Sequence, residues 1–304
     1  MANAEHGLQM LRKLTAASCL LSLPLYASTE NSGMPGFNVS EAMFNYTDGM
    51  DLQDGDGSLN TTTFEIRTLL SKPLNPATGL TIIPQFRYDL TSLDFDGVTP
   101  PPLGLRDEEL HTLSLSVFAL KRDDASPWVY GGFANVDLAS DFQHIDEDDF
   151  TFDVAGGVGY RFSDSFTLGA GAAVINLNGD MMVFPGINFD WKVSEKLRVG
   201  QYGPVFVAAY TPDNDWLISV RGDPAGGVWN ITDEGGESRS IDLSSYQLGL
   251  YVSRRITGQL WMTAGAGATF GNEIRLSDPD GDNFSAEDLE TGLFGQVGLR
   301  LKAW

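Results

Sequence analysis

Apolar and polar residues alternate along most of the chain after residue 36, with the period of two that is typical of β-strands. Between Leu80 and Leu90 every second residue is apolar, whereas Gln85, Arg87 and Asp89 share the opposite face. The same alternation recurs at 111–120, 165–175 and 259–270. The 3.6-residue stripe of an amphipathic helix is hard to find in this region, so the pattern predicts an all-β chain.

Strand length and connection length favour one all-β architecture over another. The predicted strands run about ten to fourteen residues, near the ~9–11 that a tilted membrane-crossing strand needs and longer than the usual ~5–6 of soluble proteins. Long connections and tight turns are expected to alternate strictly, and the long ones span 47–59, 93–109, 140–149, 232–240 and 273–290. This asymmetry is typical of outer-membrane barrels. The sequence therefore predicts an antiparallel up-and-down transmembrane β-barrel of about 12–14 strands.

About fourteen segments carry the strand pattern. They cover 37–46, 60–71, 79–92, 109–121, 127–139, 150–162, 166–176, 181–191, 196–201, 204–211, 216–231, 240–253, 257–272 and 291–303. Gly203 and Pro204 interrupt the ninth and tenth of these segments, and the count falls to about twelve if that pair does not form. Both counts are even, as required when the two chain ends lie on the same side of the membrane.

The first residues differ from the rest of the chain. Arg12 and Lys13 precede a short apolar stretch, Leu14 to Leu25, which is the order of an export signal. The predicted division is a signal peptide at 1–27, a short N-terminal segment at 28–36 and the barrel at 37–304. The one cysteine, Cys19, falls within the signal, so no disulfide is predicted in the barrel. No later stretch is apolar over about eighteen residues, which excludes a transmembrane helix.

The charge balance is strongly acidic, with 41 Asp and Glu against 19 Lys and Arg and a formal net charge of −22. This balance argues against nucleic acid as a partner, because phosphate backbones demand a basic surface. The acidic residues concentrate in the predicted long loops, so one rim of the barrel is expected to be negative. The expected partners are outer-membrane lipid and lipopolysaccharide, whose phosphates divalent cations can bridge to the loops. No cofactor is predicted.

The last predicted strand indicates which face meets lipid. Val297, Leu299 and Leu301 alternate with Arg300 and Lys302, and a cation facing lipid at mid-depth would cost ~2–4 kcal/mol. The polar face should therefore line the lumen. The same rule, applied to other strands, predicts these lumen-facing residues: Glu65, Arg67, Arg87, Asp89, Asp153, Arg161 and Arg300.

The chain ends on Trp304, which lies one residue out of phase with the apolar face of the last strand. An alternating final strand with an aromatic last residue resembles the C-terminal insertion signal of outer-membrane proteins. The resemblance implies docking on the outer-membrane insertion machinery. Trp304 is expected to act as an interface anchor, either through a bulge that restores the register or after the strand has ended.

Other segments resemble a known family. The pattern DF…DDF…GGVGYR…LGAG, between Asp141 and Gly171, is similar to a family of uncharacterised bacterial outer-membrane barrels that is classified as a domain of unknown function. The resemblance extends through LTSLDFDG, DEELHTLSLSVFAL and FPGINFDWKVSEKLRV and covers most of the chain after the signal. It implies a barrel fold and an outer-membrane location, and it implies no particular chemistry.

Histidines are the residues on which a barrel hydrolase would depend, because a base must lie near a nucleophile or an activated water. After the predicted signal the chain contains only His111 and His144. His111 follows Glu108 and Glu109 and precedes Ser114, which makes it the acid–base candidate. The competing interpretation is a rim residue hydrogen-bonded to an acid, and no G-x-S-x-G motif accompanies it. His144 is expected in a solvated acidic loop.

A calcium site is the metal site that the acidic loops suggest. Asp278, Asp280 and Asp282 follow the spacing of an EF-hand loop, but Asn283 stands where that loop needs glycine and Leu289 where it needs glutamate. The sequence therefore predicts loose binding of divalent cations rather than a specific metal site.

Aromatic residues near strand ends suggest either carbohydrate stacking or interfacial girdles. They are Trp128, Tyr130, Trp191, Trp216, Trp229, Tyr246 and Trp261. The girdle is the favoured interpretation, because barrels place Trp and Tyr at both membrane interfaces.

The function that these features favour is a structural or passive, porin-like outer-membrane barrel with acidic external loops, and not an enzyme. Two alternatives remain open at this point. One is an outer-membrane lipid-modifying hydrolase that uses His111, and the other is a surface receptor or adhesin barrel whose acidic loops bind a partner.

Overall fold

The computed structural model describes residues 38–53, 57–77, 79–97, 107–177, 180–232, 238–278 and 285–302. Its strands are β1 (Asn38–Asp51), β2 (Ser58–Leu69), β3 (Leu74–Ala77), β4 (Leu80–Asp96), β5 (Glu108–Arg122), β6 (Trp128–Ser140), β7 (Phe150–Ser163), β8 (Phe166–Leu177), β9 (Asp180–Lys192), β10 (Leu197–Tyr202), β11 (Val205–Asp213), β12 (Trp216–Thr232), β13 (Ser238–Thr257), β14 (Leu260–Ser277), β15 (Ser285–Leu289) and β16 (Leu293–Lys302). A 3₁₀ helix lies at Glu147–Asp149. No helix within the described residues is long and apolar enough to cross a membrane.

Fourteen of these strands close into an antiparallel barrel. From β1 the wall runs through β2 and β4 and then in sequence to β14, and β16 completes it by pairing with both β14 and β1. The two short strands, β3 and β15, pair with β4 and β14, and Leu289 of β15 also forms an isolated bridge with Leu52. The predicted all-β barrel is confirmed with the larger of the two expected strand counts, because β10 and β11 both form and pair with each other.

The two ends of the barrel differ. Asn38 and Lys302, which pair with each other, lie at what we call the turn end, and the opposite end is the loop end. Two loop-end connections are nonetheless short, since residues 178–179 separate β8 from β9 and residues 203–204 separate β10 from β11. The expected strict alternation of long and short connections is therefore wrong in this part of the wall.

The alternating residues divide as the period of two requires. Apolar side chains are exposed on the outside of the wall; among them are Phe64, Ile66, Leu115, Val117, Phe152, Val154, Leu168, Val183, Ile187, Leu248, Leu250, Met262, Val297, Leu299 and Leu301. The neighbouring positions point inward and are buried, and many are polar, such as Thr61, Ser114, Ser116, Asn135, Asn188, Ser253 and Thr263. The outer wall is thus apolar and the lumen mainly polar.

Glycines allow β7 and β8 to approach each other closely on the lumen side. Gly157 pairs with Gly171, and Gly159 pairs with Gly169. A Cβ added at Gly171 would lie 2.4 Å from the carbonyl oxygen of Gly156 and 3.0 Å from the Cα of Gly157. Side chains therefore cannot be accommodated here without a shift of the backbone, and this part of the wall depends on glycine.

Buried apolar side chains form separate clusters inside the barrel. The largest cluster lies at the loop end and contains Met50, Leu52, Leu59, Leu93, Leu110, Ala139, Trp229, Ile231, Ile241, Leu243, Ile274 and Leu289. A second cluster lines β6, β8 and β9 and contains Phe133, Ala173, Ile175 and Phe184, with Phe118, Ala155 and Met182 packed against it. These clusters, rather than a central core, set the shape of the interior.

Candidate functional site

The lumen is the candidate functional site, and a belt of acid–base pairs lines its wall. The pairs are Glu41 with Arg300 at 2.7 Å, Glu65 with Arg67 at 3.1 Å, Arg87 with Asp89 at 3.0 Å, Arg221 with Asp223 at 2.9 Å, and Asp190 with Arg198. Each acid lies beside one arginine, so the belt carries little net charge. We call these residues the ion-pair belt.

Strand geometry explains most of the belt. Residues two apart on a strand share a face, so Glu65 and Arg67, Arg87 and Asp89, or Arg221 and Asp223 can pair along one strand. The guanidinium of Arg221 also lies 4.9 Å from the ring centroid of Tyr251, which faces the same lumen from β13. The belt is therefore a local consequence of the sequence once the inward face is known.

The pair between β1 and β16 joins the two ends of the chain. Arg300 Nε donates to Glu41 Oε1 at 2.7 Å, and Asn38 Nδ2 donates to Glu41 Oε2 at 2.7 Å. Glu41 is only 6% exposed, so its carboxylate depends on these partners and on the nearby Arg67. Removal of one partner of this seam pair costs more than removal of one partner of a surface pair, because it leaves a buried charge.

We expect Arg300→Met to destabilise the barrel by about 3–5 kcal/mol, because the buried Glu41 carboxylate loses its cation. The double variant Glu41→Gln with Arg300→Met should recover most of that loss, since neither charge then remains unpaired. The measurement is the urea midpoint of unfolding in vesicles, followed by tryptophan fluorescence. Equal midpoints for the single and the double variant would contradict the role of this pair.

The predicted lumen residues take different positions. Glu65, Arg67, Arg87, Asp89 and Arg300 lie in the ion-pair belt. Asp153 is buried on β7, where its neighbours on β6 and β8 are Asn135 and Ile175. Arg161 is near the turn end, and its Nη2 donates to the backbone carbonyl oxygens of Asp123, Asp124 and Ser126 at 3.3, 3.4 and 2.8 Å. Arg161 therefore braces the turn before β6.

Several belt residues were missed from the sequence. These are Glu41, Asp190, Arg198, Arg221 and Asp223. The spacing of Arg221 and Asp223 matches that of Arg87 and Asp89, so an Arg-x-Asp pattern on an inward face would have identified one pair. Asp190 and Arg198 lie on different strands, and nothing in the sequence spacing relates them.

The loop end is closed by part of the β12–β13 hairpin. β12 pairs with β11 only as far as Gly222, but it pairs with β13 as far as Thr232. This upper part, residues 223–232 and 238–246, is here called the closing hairpin. It crosses to β6, where Asn230 forms a bridge with Ser140. The closing hairpin therefore reaches across the loop end of the barrel from β12 to β6.

Backbone hydrogen bonds hold the closing hairpin to the opposite wall. The N–H of Asp141 donates to the carbonyl of Asn230 at 3.1 Å, and the N–H of Thr232 donates to Asp141 Oδ2 at 2.9 Å. Within the hairpin, Gly226 has a φ of 97°, and a Cβ there would lie 1.8 Å from the carbonyl oxygen of Leu243. Only glycine fits this bend.

Trp229 joins the closing hairpin to the opposite wall. Its side chain is 4% exposed and belongs to the large loop-end cluster, with Leu110 and Leu243 among its members. Its indole Nε1 donates to Thr112 Oγ1 of β5 at 2.9 Å, which joins the hairpin to the far wall. The indole ring is buried among apolar side chains, and its N–H has a hydrogen-bond partner. Burial of Trp229 therefore leaves no polar atom of its side chain without a partner.

The loop between β6 and β7 supports the closure from outside. Asp146 and Asp149 cap the 3₁₀ helix reciprocally, and the N–H of Asp146 donates to Asp149 Oδ2 at 2.8 Å. Burial raises the pKa of the Asp149 carboxyl above its ordinary value. His144, expected in a solvated loop, lines a polar cleft of about 230 Å³ with Asn230 and Thr232 of the closing hairpin.

His111 lies on the outer face of β5. Tyr88 Oη and His111 Nδ1 are 2.9 Å apart, and the imidazole stacks on Phe142 with 4.6 Å between ring centroids. Phe142 holds this position with a φ of 60°, in the left-handed region that bulky residues rarely adopt. Ser114 is buried on the lumen face of the same strand, so the wall of the barrel separates it from His111. The two side chains do not form a base–nucleophile pair.

The candidate metal ligands are only partly within the described residues. Asp278 Oδ1 lies 3.6 Å from Arg239 Nη1, a distance typical of a partly exposed ion pair. Asp280 and Asp282 lie outside the described residues, as do the predicted signal at 1–27, the segment at 28–36 and Trp304. Within the described part of the chain, no group of three or more His, Cys, Asp or Glu side chains could hold a metal ion.

The aromatic residues are divided between the two faces of the wall. Trp128, Tyr130 and Trp191 are exposed on the outside, as a girdle requires. The girdle assignment is wrong for Trp229 and Trp261, which are buried inside the barrel. The ammonium of Lys302 lies 3.4 Å from the ring centroid of Trp261, so this tryptophan covers a cation at the turn end.

Family comparison gives the chain its place among known proteins. The model of a family described as Domain of unknown function (DUF6268) matches residues 39–302, which extend from β1 to β16. The chain belongs to this family. Membership confirms the resemblance to an uncharacterised barrel family that the sequence showed. No curated protein matches the chain.

Solved structures of other barrels are similar to this DUF6268 chain in fold. An outer membrane channel from Pseudomonas putida F1 has 11% identity and a TM-score of 0.49, with 90% of this chain and 98% of that chain covered. The NanC porin has 7% identity and a TM-score of 0.40, with 87% of this chain and 100% of that chain covered. Outer membrane phospholipase A from Escherichia coli has 10% identity and a TM-score of 0.39, with 89% of this chain and 95% of that chain covered. At this level the likeness is one of general barrel architecture.

Proposed function

We propose that the protein is a bacterial outer-membrane barrel that offers small solutes a passive, porin-like route, with the closing hairpin as its resting gate. The observation that carries the proposal is the contrast between the exposed apolar outer wall and the ion-pair belt inside. Outer-membrane barrels that carry a water-filled channel have a polar interior, whereas an apolar interior would exclude water. The belt thus supports a hydrated lumen.

The height of the apolar outer wall supports the membrane location. On β7, Phe152 and Phe162 are both exposed on the outside, and ten residues separate them. With a rise of ~3.3 Å per residue and a tilt of about 40°, that separation corresponds to ~25 Å along the barrel axis. Outer-membrane barrels have an apolar band of ~25 Å between aromatic girdles. The exposed aromatics are therefore spaced as two membrane interfaces would be.

Selectivity for cations would arise at the loop-end rim. The ion-pair belt is close to neutral, so it gives the lumen little preference for either sign of charge. Acidic side chains such as Asp51, Asp94 and Glu109 are exposed near the loop ends of their strands. A single-sign rim raises the local concentration of counter-ions, so cations are expected to enter more readily.

We expect a reversal potential that indicates cation preference when the Trp229→Ala barrel, whose mouth should be open, separates two KCl concentrations in a planar bilayer. Neutralising two rim acids, Asp51→Asn with Asp94→Asn, should move that potential toward zero. The matched control neutralises two turn-end acids, Asp124→Asn with Asp164→Asn, and should move it less. Anion preference, or no single-channel steps in any variant, would count against the proposed pore.

The alternative of a hydrolase has less support from the geometry. His111 contacts Tyr88 and Phe142 on the outer face, while Ser114 faces the lumen. A base and a nucleophile must lie within hydrogen-bond reach of each other or share a water. The passive role is therefore the one we favour.

A further inference from the structure

The barrel wall is lower on one side than elsewhere. β9 pairs with β10 only over Asn188–Lys192, and β12 pairs with β11 only between Trp216 and Gly222. Beyond these points β9 continues to Asp180 with β8 as its described backbone partner, and β12 continues to Thr232 with β13. We call the space between these two edges, above the β10–β11 hairpin, the lateral gap.

The height of the lateral gap follows from strand length. β10 contains six residues, Leu197–Tyr202, which at ~3.3 Å per residue and a tilt of about 40° rise only ~15 Å along the axis. The apolar band that a barrel presents to lipid is ~25 Å tall. The gap therefore begins inside the band and opens in its loop-end part. Val183 and Ile187, outward on β9 beside the gap, are 67% and 64% exposed, as expected of side chains that face acyl chains.

The floor of the gap is held on both sides. On the β9 side, the N–H of Gly203 donates to Asn188 Oδ1 at 2.7 Å. On the β13 side, Tyr246 Oη donates to the carbonyl of Pro204 at 3.1 Å. The tip of the β10–β11 hairpin is thus anchored to both neighbouring parts of the wall. The β10–β11 hairpin therefore ends at a turn that is fixed by hydrogen bonds on both sides.

Backbone energetics restrict what such a gap can be. Each backbone N–H or carbonyl without a partner costs several kcal/mol in hydrocarbon, so irregular or unpaired backbone at membrane depth is tolerated where it lines a cavity. β12 turns inward with the closing hairpin above Gly222, which carries its edge away from lipid and over the lumen. The edge of β12 therefore lies over the lumen, while the edge of β9 borders the gap.

An apolar inner wall lies directly behind the gap. Phe184 and Met182 face inward from the part of β9 that borders the gap, and they pack in one cluster with Phe133 and Ile175. The ion pair Glu65–Arg67 lies on β2 and the ion pair Arg87–Asp89 on β4, so neither lies on the strands that carry this cluster. The cluster of Phe118, Phe133, Ala155, Ala173, Ile175, Met182 and Phe184 is here called the apolar wall. A solute entering through the gap would meet hydrocarbon and aromatic side chains first.

We propose that the lateral gap is a passage by which small apolar molecules move between the outer leaflet and the lumen along the apolar wall. This inference rests on the proposed passive-transport role and names its class of solute. An apolar molecule gains free energy wherever it leaves water for apolar surface, at about 25 cal/mol per Å², so a path from lipid to the apolar wall suits it. A hydrated ion would gain nothing on that path.

The test is the uptake of the fluorescent hydrocarbon amine N-phenyl-1-naphthylamine by cells that carry the barrel in their outer membrane. In the first variant, six alternating residues are added to each arm of the β10–β11 hairpin, between Tyr202 and Val205, so that the arms can pair with upper β9 and upper β12. In the second, Phe184→Asn makes the apolar wall polar. Both should slow uptake roughly tenfold, as expected when an amide is set in an apolar site or the route is blocked.

Two matched controls isolate the gap. Phe294→Asn changes an equally buried inward phenylalanine, 4% exposed like Phe184, on β16. The control for the insertion places the same twelve residues in the connection between β4 and β5. Both controls should retain uptake within about twofold of the unchanged protein. Heat-modifiable migration in electrophoresis verifies that each barrel has folded. If the variant with the extended hairpin does not fold, the comparison of uptake between Phe184→Asn and Phe294→Asn decides whether the apolar wall lies on the route.

The outcomes separate this inference from the proposed function. Ion conductance through the Trp229→Ala barrel with uptake that neither gap variant slows would overturn the lateral passage and leave the passive pore in place. Absence of both conductance and barrel-dependent uptake would overturn the two together. A stable dimer that the extended hairpin dissolves would also overturn the passage, because it would assign the unpaired edges to a second copy of the chain.

Discussion

Replacement of Trp229 with alanine should release the closing hairpin from the far wall and so produce a barrel that conducts. The indole belongs to the loop-end cluster and donates to Thr112 Oγ1 of the opposite wall. Truncation of a buried tryptophan costs about 3–5 kcal/mol, and here the loss falls on the contact between the closing hairpin and β5. A loss of that size shifts a closed-to-open equilibrium by about 10² or more. We therefore expect frequent, long-lived openings where the unchanged protein shows rare ones.

Single-channel recording in planar bilayers measures this effect. Trp191→Ala serves as the matched control, because Trp191 is exposed on the outer face and does not touch the hairpin. Its conductance should equal that of the unchanged protein. Unaltered gating in Trp229→Ala, with the barrel folded, would mean that the hydrogen bonds of Asp141 with Asn230 and Thr232 hold the hairpin in place without the indole.

Most of the wall could be predicted because a strand in a barrel has only two faces. Once Arg300 and Lys302 are assigned to the lumen, the period of two assigns every neighbour, and the exposed Val297 and Leu299 agree with that assignment. The ion pairs of β2 and β4 follow from the same rule, since residues two apart share a face. The pair of Asp190 and Arg198 does not, because it depends on the register between β9 and β10.

The closing hairpin was not predicted, although the sequence carries a signal for it. In the lower part of β13 the apolar residues Leu248 and Leu250 face outward. In its upper part Ile241 and Leu243 are buried inside, so the apolar row changes face along one strand. A change of phase marks the point where a strand stops facing lipid and begins to pack against protein. Trp229 was placed in a girdle because its distance from the strand end was considered without its face.

The lateral gap depends on the short lengths of β10 and β11. These lengths were visible in the sequence, but their consequence for the neighbouring strands was not recognised. The segments 196–201 and 204–211 were predicted correctly as strands, but the position of their short connection at the loop end was not predicted. A strand pair that is too short to cross the apolar band leaves its neighbours, above it, without a partner on that side among the described strands. That consequence becomes visible only when the register shows that β9 and β12 continue past the hairpin.

The assignment of the two faces can be tested with one charge placed at two adjacent positions. Val117 and Ser116 are neighbours on β5, with Val117 44% exposed on the outer wall and Ser116 8% exposed on the inner wall beside Asn135. An arginine on the lipid face near mid-depth costs ~2–4 kcal/mol, whereas an arginine in a polar lumen keeps hydrogen-bond partners. Val117→Arg should therefore greatly reduce the folded fraction in the outer membrane, and Ser116→Arg should leave most of it.

The measurement is the fraction of heat-modifiable barrel in outer-membrane preparations, with Val117→Ala and Ser116→Ala as controls for loss of the native side chain. A loss of ~2–4 kcal/mol against a typical margin of about 5–15 kcal/mol shifts the urea midpoint in vesicles strongly even where some barrel still assembles. If Ser116→Arg were the more damaging change, the apolar rows would face an interior and not lipid. The membrane location, the hydrated lumen and the lateral gap would then fail together, because each of them depends on the direction in which Val117 points.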